Sequence, residues 1–335
     1  MSGKMLERLQ RLASVWGPSG RERKVAAVLS EMIAPYVQEV YTDRYGNLIA
    51  RRAGGPGGKR VLLVAHMDTP GAVAMNVSEK GLIYLAPIGG MKPFAAIGHR
   101  VVWGSGITGV VQHEPVEEAK EVEFKRLFCD IGATSREEAL ENVALGDVCT
   151  FVADLQQLDD LIVAPALDNR AGCAVLLEVA EHLVESDHEL LFAFTSHGEV
   201  GPRGAGAAAF GVDPDLAFVV DTTPSGDLPR APRVAVKLGG GPALKLKDAG
   251  YMAHQDLSTL VQSVAEAEAI PLQIEISTGH TEAQVVSVAG QGVPTAVIDI
   301  PLRYKGTASE MVNLRDLHGS ADLLLKLLSR PLVMG

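Results

Sequence analysis

Val61-Leu62-Leu63-Val64-Ala65-His66-Met67-Asp68 is the stretch on which the fold turns. Residues 60–66 are nearly all apolar. A strand with one wet face alternates apolar with polar residues, whereas an unbroken apolar run marks a parallel strand covered on both faces. Such a strand needs neighbours, and beyond residue 162 strand-like and helix-like segments alternate. Helices are predicted over 171–186, 204–210, 256–269, 282–289 and 314–329, and strands over 189–195, 215–220, 271–276 and 294–300. That rhythm predicts an α/β fold, a three-layer sandwich around a mainly parallel sheet. Upstream, 37–52 alternates as a strand pair turning at Tyr45-Gly46-Asn47, and Ser19 or Gly20 is placed to cap a helix running to Ile33. Residues 70–161 read differently. Short strand-like pieces at 82–85, 100–103, 107–111, 127–131 and 147–152 are separated by glycines, with one charged helix at 135–142. The expected organisation is a discontinuous α/β domain, 1–69 with 162–335, carrying an inserted β-rich, barrel-like domain at 70–161.

The apolar runs share a second property, the residues that follow them. Residues 61–65 deliver His66 and Asp68, and 161–167 deliver Asp168. The run 190–194 leads to Glu199, and 216–220 to Asp221. Open α/β sheets place their ligands at such strand ends. One imidazole and three carboxylates form an inventory for a pair of divalent cations sharing a bridging carboxylate. Each residue also has a plain alternative. His66 suits a hydrogen-bonded core histidine, Asp168 a helix cap, Glu199 a solvated carboxylate and Asp221 a turn residue. Four coincidences at successive strand ends weigh against those alternatives jointly. Asp68, two residues beyond His66, is placed to fix the imidazole tautomer through its other nitrogen.

Composition narrows the partners. The 335 residues are 47% hydrophobic and 21% charged, with a formal net charge of −11. That sign opposes adsorption to nucleic acid or to anionic membranes. The three cysteines (Cys129, Cys149 and Cys173) form no CxxC pair, which argues against a disulfide framework or thiolate metal site. The amino-terminal segment reads as an amphipathic helix rather than a signal peptide, and no apolar run reaches membrane-spanning length. A soluble cytoplasmic protein is expected.

Further motifs are ordered along the whole chain. They include Gly17-Pro18-Ser19-Gly20, Asp43 with Gly46-Asn47-Leu48, Ala65-His66-Met67-Asp68, Pro87-Ile88-Gly89-Gly90 and Asp130-Ile131-Gly132-Ala133. Ala166-Leu167-Asp168-Asn169-Arg170, Glu199-Val200-Gly201, Asp221, Gly240-Gly241-Pro242, Arg303-Tyr304 and Leu314-Arg315-Asp316 complete the series. In these the sequence resembles the M42 metallo-aminopeptidases, the tetrahedral or glutamyl aminopeptidase-like enzymes. The resemblance implies up to two divalent metals, usually zinc or cobalt, and removal of amino-terminal residues from short peptides. It implies a β-rich insert used for dimer contacts and homo-oligomers extending to larger shells. Carried over by residue, His66 and Asp221 bind one metal, Asp168 bridges, Glu199 binds the second and Asp68 orients His66. A cis peptide after Asp168 is implied as well.

The sequence departs from that pattern at two places. The family carries paired glutamates where this chain has Gly198-Glu199, and the first is its general base. The family also has a histidine ligand where Arg303-Tyr304-Lys305 is followed by Gly306. A positioned general base contributes a factor of about 10² to 10⁴ in rate. His197 is the adjacent substitute base, although neighbouring residues of an extended strand face opposite ways. His280 and Glu310 are the groups placed to swing toward Gly306. The leading expectation is a metal-dependent hydrolase of short peptides with a weakened second metal site. The alternative is a non-catalytic homologue acting as scaffold or peptide-binding subunit.

Overall fold

The computed structural model describes residues 2–229 and 234–333. Strand Arg60–His66 lies at the centre of an eight-stranded sheet. It pairs in parallel with Glu189–Thr195 on one side and with Leu216–Pro224 on the other. Thr295–Leu302 continues the parallel series beyond Leu216–Pro224, while Glu39–Thr42 and Leu48–Arg52 form an antiparallel hairpin at one edge. Ala243–Lys247 and Gln273–Ile276 close the other edge. The unbroken apolar run is explained by its two burial environments. Val61, Leu63 and Ala65 point into one core with the helices Ser2–Ala13, Leu167–His182 and Leu314–Leu328. Leu62 and Val64 point into a second core with Ala205, Ala208 and Ala209 of helix Arg203–Val212. Helices therefore cover both faces, giving the three-layer α/β architecture.

A second body rises beyond His66. Six antiparallel strands form a closed barrel in the order Gly71–Val77, Ile83–Ile88, Leu127–Asp130, Thr108–His113, Arg100–Trp103 and Val148–Phe151. Closure leaves the barrel without a free edge, and Trp103, Leu85, Val101 and Leu127 fill its own small core. All three cysteines are free and buried.

The structure departs from the sequence reading in places that matter to the site. The strand leading to Asp168 ends early, at Ala164, and belongs to a separate three-stranded antiparallel sheet with Gln156–Leu158 and Glu310–Asn313. The chain then turns through Ala166, at φ 65°, so Asp168 enters from the start of helix Leu167–His182 rather than from a strand end. Ser19 caps no helix, because its hydroxyl donates to Asp68 Oδ2 at 2.5 Å. The helix expected over 282–289 shortens to Ala283–Val286. Strand Ala243–Lys247 gave no apolar signal. It carries a buried lysine, Lys245, whose ammonium lies 2.6 Å from Glu275 Oε1 and 2.9 Å from Asp299 Oδ2.

Candidate metal centre

The carboxyl end of strand Arg60–His66 carries His66, and Asp221, expected at a strand end but found inside Leu216–Pro224, comes to the same place, where the helix start brings Asp168 against them. His66 Nε2 stands 3.6 Å from Asp168 Oδ1 and 3.9 Å from Asp221 Oδ1. All three residues are buried, and their ligand atoms lie within 4.8 Å of one another. Asp168 follows from its backbone. The Asp168–Asn169 peptide is cis, neither residue has helical dihedrals, and Asn169 ties the turn down by donating to the Val220 carbonyl at 2.7 Å. Glu310 holds the turn from the other side, accepting from the Asp168 amide at 3.0 Å and from the Gly306 amide at 2.7 Å. Buried Arg170 then pins the amino-terminal segment, donating to the carbonyl of Leu12 at 2.9 Å and of Gly17 at 3.4 Å.

Asp68 sits beneath the cluster, fully buried. It accepts from the amides of Gly198 at 2.8 Å and Glu199 at 3.0 Å, besides the Ser19 hydroxyl. His66 Nδ1 lies 3.3 Å from Asp68 Oδ1 but makes no aligned hydrogen bond. Burial pulls the imidazole toward neutrality, and the Asp168 and Asp68 carboxylates outweigh it, so His66 rises well above 6.5 in the absence of a cation. Burial opposes ionisation of Asp168, yet the Lys305 ammonium and His66 hold its carboxyl far below the ordinary range.

These groups suit one divalent cation. A tetrahedral ion with bonds of about 2.1 Å places its ligand atoms about 3.4 Å apart, close to the 3.6 Å and 3.9 Å separations from His66. One imidazole and two carboxylates are donors that zinc, cobalt and manganese all accept.

The other expected residues divide. Glu199 lines the same pocket, a cavity of about 550 Å³ shared with Gly89, Gly90, His280, Glu282 and Lys305. It stands outside the three-residue cluster and accepts from the Gly90 amide at 2.9 Å. Burial, reinforced by Asp168, pushes its carboxyl up to about 7. His197 is turned away, contrary to its reading as a substitute base. Its backbone adopts φ 57°, and its ring stacks edge-on against Tyr45 at 5.3 Å in a separate groove lined by Trp16 and Glu22. Glu310 does reach Gly306, but as an acceptor committed to the Gly306 and Asp168 amides. His280 stays at the exposed pocket rim, 3.2 Å from Gln284 Oε1.

The two glycines are closed positions rather than open ones. A Cβ at Gly198 would lie 2.5 Å from His66 Cβ and 2.9 Å from Asp68 Oδ1. A Cβ at Gly306 would lie 2.4 Å from the Gly90 carbonyl oxygen, at a φ of +77° that side chains rarely adopt. Lys305, which the sequence shows only as a positive charge beside Gly306, reaches the cluster, its Nζ 2.9 Å from Asp168 Oδ2 and 3.2 Å from Thr222 Oγ1. Sequence reasoning gave no role to Glu282. That buried carboxyl accepts from Thr195 Oγ1 and is pushed up to about 8 by burial.

Comparison with known proteins agrees with this architecture. The family model for M42 glutamyl aminopeptidase matches residues 46–323. A protein of Acetivibrio thermocellus with a provisional aminopeptidase name is 37% identical, over 96% of this chain and 98% of its own length. The aminopeptidase APDkam598 of the archaeon Desulfurococcus kamchatkensis superposes with a TM-score of 0.94 at 32% identity, covering 98% of this chain and 95% of its own. The Pyrococcus horikoshii TET1 peptidase, described as assembling into a tetrahedron or a large octahedral shell, gives 0.86 at 30% identity, over 97% and 99%. The chain belongs to the M42 glutamyl aminopeptidase family.

Proposed function

We propose that this M42 protein is a metal-dependent aminopeptidase that removes amino-terminal residues from short peptides. The observation that carries the proposal is the meeting of His66, Asp168 and Asp221 on the floor of a pocket, at distances one ion can span. In this reading those three hold a divalent cation, zinc or cobalt, and Glu199, which lines the same pocket, is the further metal ligand. A cation so held would polarise the scissile carbonyl and acidify water. Asp68 acts beneath His66, keeping the ring in place, a service whose loss typically costs 10–100-fold in metal affinity. Glu199 lines the pocket and, ionised above about 7, complements the ammonium of a free peptide amino terminus.

Assembly belongs to the same proposal. The chain is read as a cytoplasmic homo-oligomer, a dimer able to build a larger shell, with residues 70–161 as the dimer-contact domain inserted between 1–69 and 162–335. The barrel exposes Met75, Phe94 and Leu145, apolar groups suited to a subunit contact. Among the described residues, no helix is long and apolar enough to cross a membrane. Neither peptide binding nor oligomer formation requires nucleic acid or a bilayer.

A second reading, a non-catalytic peptide-binding subunit, is favoured by Gly198, which places no carboxylate beside the cluster. One experiment separates the readings. Purified protein is assayed for zinc, cobalt and manganese content and for hydrolysis of aminoacyl p-nitroanilides, beside chelator-treated and Asp168→Ala samples. Hydrolysis lost in both controls is the expected result. Peptide binding without turnover supports the second reading, and absence of both metal and turnover overturns the first.

A further inference from the structure

We propose that the Lys305 ammonium is the second cation of this pocket, so that the protein saturates at one divalent ion per subunit. The inference rests on the reading above that the His66 cluster holds a divalent cation. The two oxygens of Asp168 are divided between different partners. Oδ1 faces His66 Nε2 at 3.6 Å and accepts from the Thr222 hydroxyl at 2.5 Å, whereas Oδ2 is taken by Lys305 Nζ at 2.9 Å. The Thr222 hydroxyl receives a second contact from the same ammonium at 3.2 Å. A carboxylate that could bridge two ions therefore bridges one ion site and one fixed ammonium.

The position of Lys305 is built rather than adventitious. On one side Arg303 makes a bidentate pair with Asp227, at 3.0 and 2.7 Å. On the other side the Gly306 amide is held by Glu310, whose second oxygen holds the Asp168 amide. The lysine and its carboxylate partner are thus clamped by one residue. The wall beyond is backbone, because Gly306 packs on the Gly90 carbonyl and Glu199 is engaged by the Gly90 amide. A side-chain ligand in place of the ammonium has no room to enter from Gly306.

Paired metal ions in hydrolases lie about 3.5–4 Å apart and share the charge developing on the substrate oxygens. An ammonium hydrogen-bonded to the shared carboxylate supplies positive charge at that position without exchangeable ligands, the kind of charge that stabilises a developing oxyanion. It also repels any further ion.

The test is equilibrium dialysis of the full chain against zinc and cobalt, with cobalt absorption spectra as a second readout. Lys305→Met, Lys305→Gln and Lys305→Arg are compared with the native chain, and circular dichroism checks the fold. The native protein and Lys305→Arg should saturate at one ion per subunit. Removing the charge in Lys305→Met or Lys305→Gln should tighten the first ion by roughly ten- to a hundredfold, since a nearby positive charge no longer opposes it. Native saturation at two ions overturns this inference while leaving the metal reading intact. No binding of either ion overturns both. One ion in every protein, with affinity unchanged by loss of the charge, overturns the role given to Lys305.

Discussion

Replacing Asp68 separates the structural and metal-related duties of one buried carboxylate. Asp68→Ala leaves the amides of Gly198 and Glu199 without acceptors, whereas the Ser19 hydroxyl can rotate to another partner. Each stranded buried donor costs about 1–3 kcal/mol, so the variant loses about 2–6 kcal/mol. For 335 residues the unfolding entropy corresponds to about 1.4 °C of Tm per kcal/mol, which predicts a drop of about 3–8 °C. Asp68→Asn strands only one amide, because its NH₂ group must face either Gly198 N or Glu199 N. Its expected loss is about 1–3 kcal/mol. Both variants should weaken zinc binding by about 10–100-fold, as His66 loses the charge beneath its ring. Thermal unfolding of the metal-free proteins reads the first effect, and competition with a chromogenic chelator reads the second. An Asp68→Ala protein that melts with the native chain and binds zinc as tightly would refute both the hydrogen-bond assignment and the orienting role.

Three further outcomes follow from the same geometry. Gly198→Glu forces a Cβ against His66 and should destabilise by about 1–3 kcal/mol through overpacking; a variant with native melting temperature and higher activity would show that the backbone yields freely there. Lys245→Met leaves Glu275 and Asp299 facing each other in the core and should cost about 3–5 kcal/mol, measured by urea unfolding; a neutral result would mean those carboxyls are already protonated in the fold. Arg303 holds the Asp227 carboxyl down to about 2. A carboxyl lowered on folding stabilises above its unfolded value of about 3.9, and that contribution disappears as the pH falls toward 2. Asp227→Asn should therefore lose stability at pH 6 and converge with the native protein near pH 2; parallel curves across that window would dissociate the pair from stability.

The central strand was legible because both of its faces are buried, which leaves no polar residue to interrupt Val61 to Ala65. His66 and Asp221 were legible for the same reason, each ending an apolar run. Asp168 was found by that logic but placed on the wrong kind of element, since its preceding strand pairs with Glu310–Asn313 outside the main sheet. Strand Ala243–Lys247, paired on both sides, was hidden by Lys245, whose partners Glu275 and Asp299 lie on the two flanking strands and leave no local trace. The direction of His197 depends on one left-handed backbone angle, which composition does not encode. Gly198 and Gly306 read in the sequence as missing side chains. Their neighbours, the His66 ring and the Gly90 carbonyl, are tertiary contacts and give them another meaning. Glu310 was picked out for its nearness to Gly306, but its role as acceptor for the Asp168 and Gly306 amides is a tertiary contact that no local motif encodes.

Arg170 and Ser19 tie the amino-terminal segment to the pocket floor, and Glu310 reaches it from the far end of the chain. The parts from Ser19 to Glu310 must all leave the ribosome before the pocket exists. At about 5–20 residues per second that interval lasts roughly 15–60 s. During it His66, Asp168 and Asp221 are already synthesised but lack the residues near 305–310 that fix Asp168 in place, so the assembled ion site belongs to the finished polypeptide.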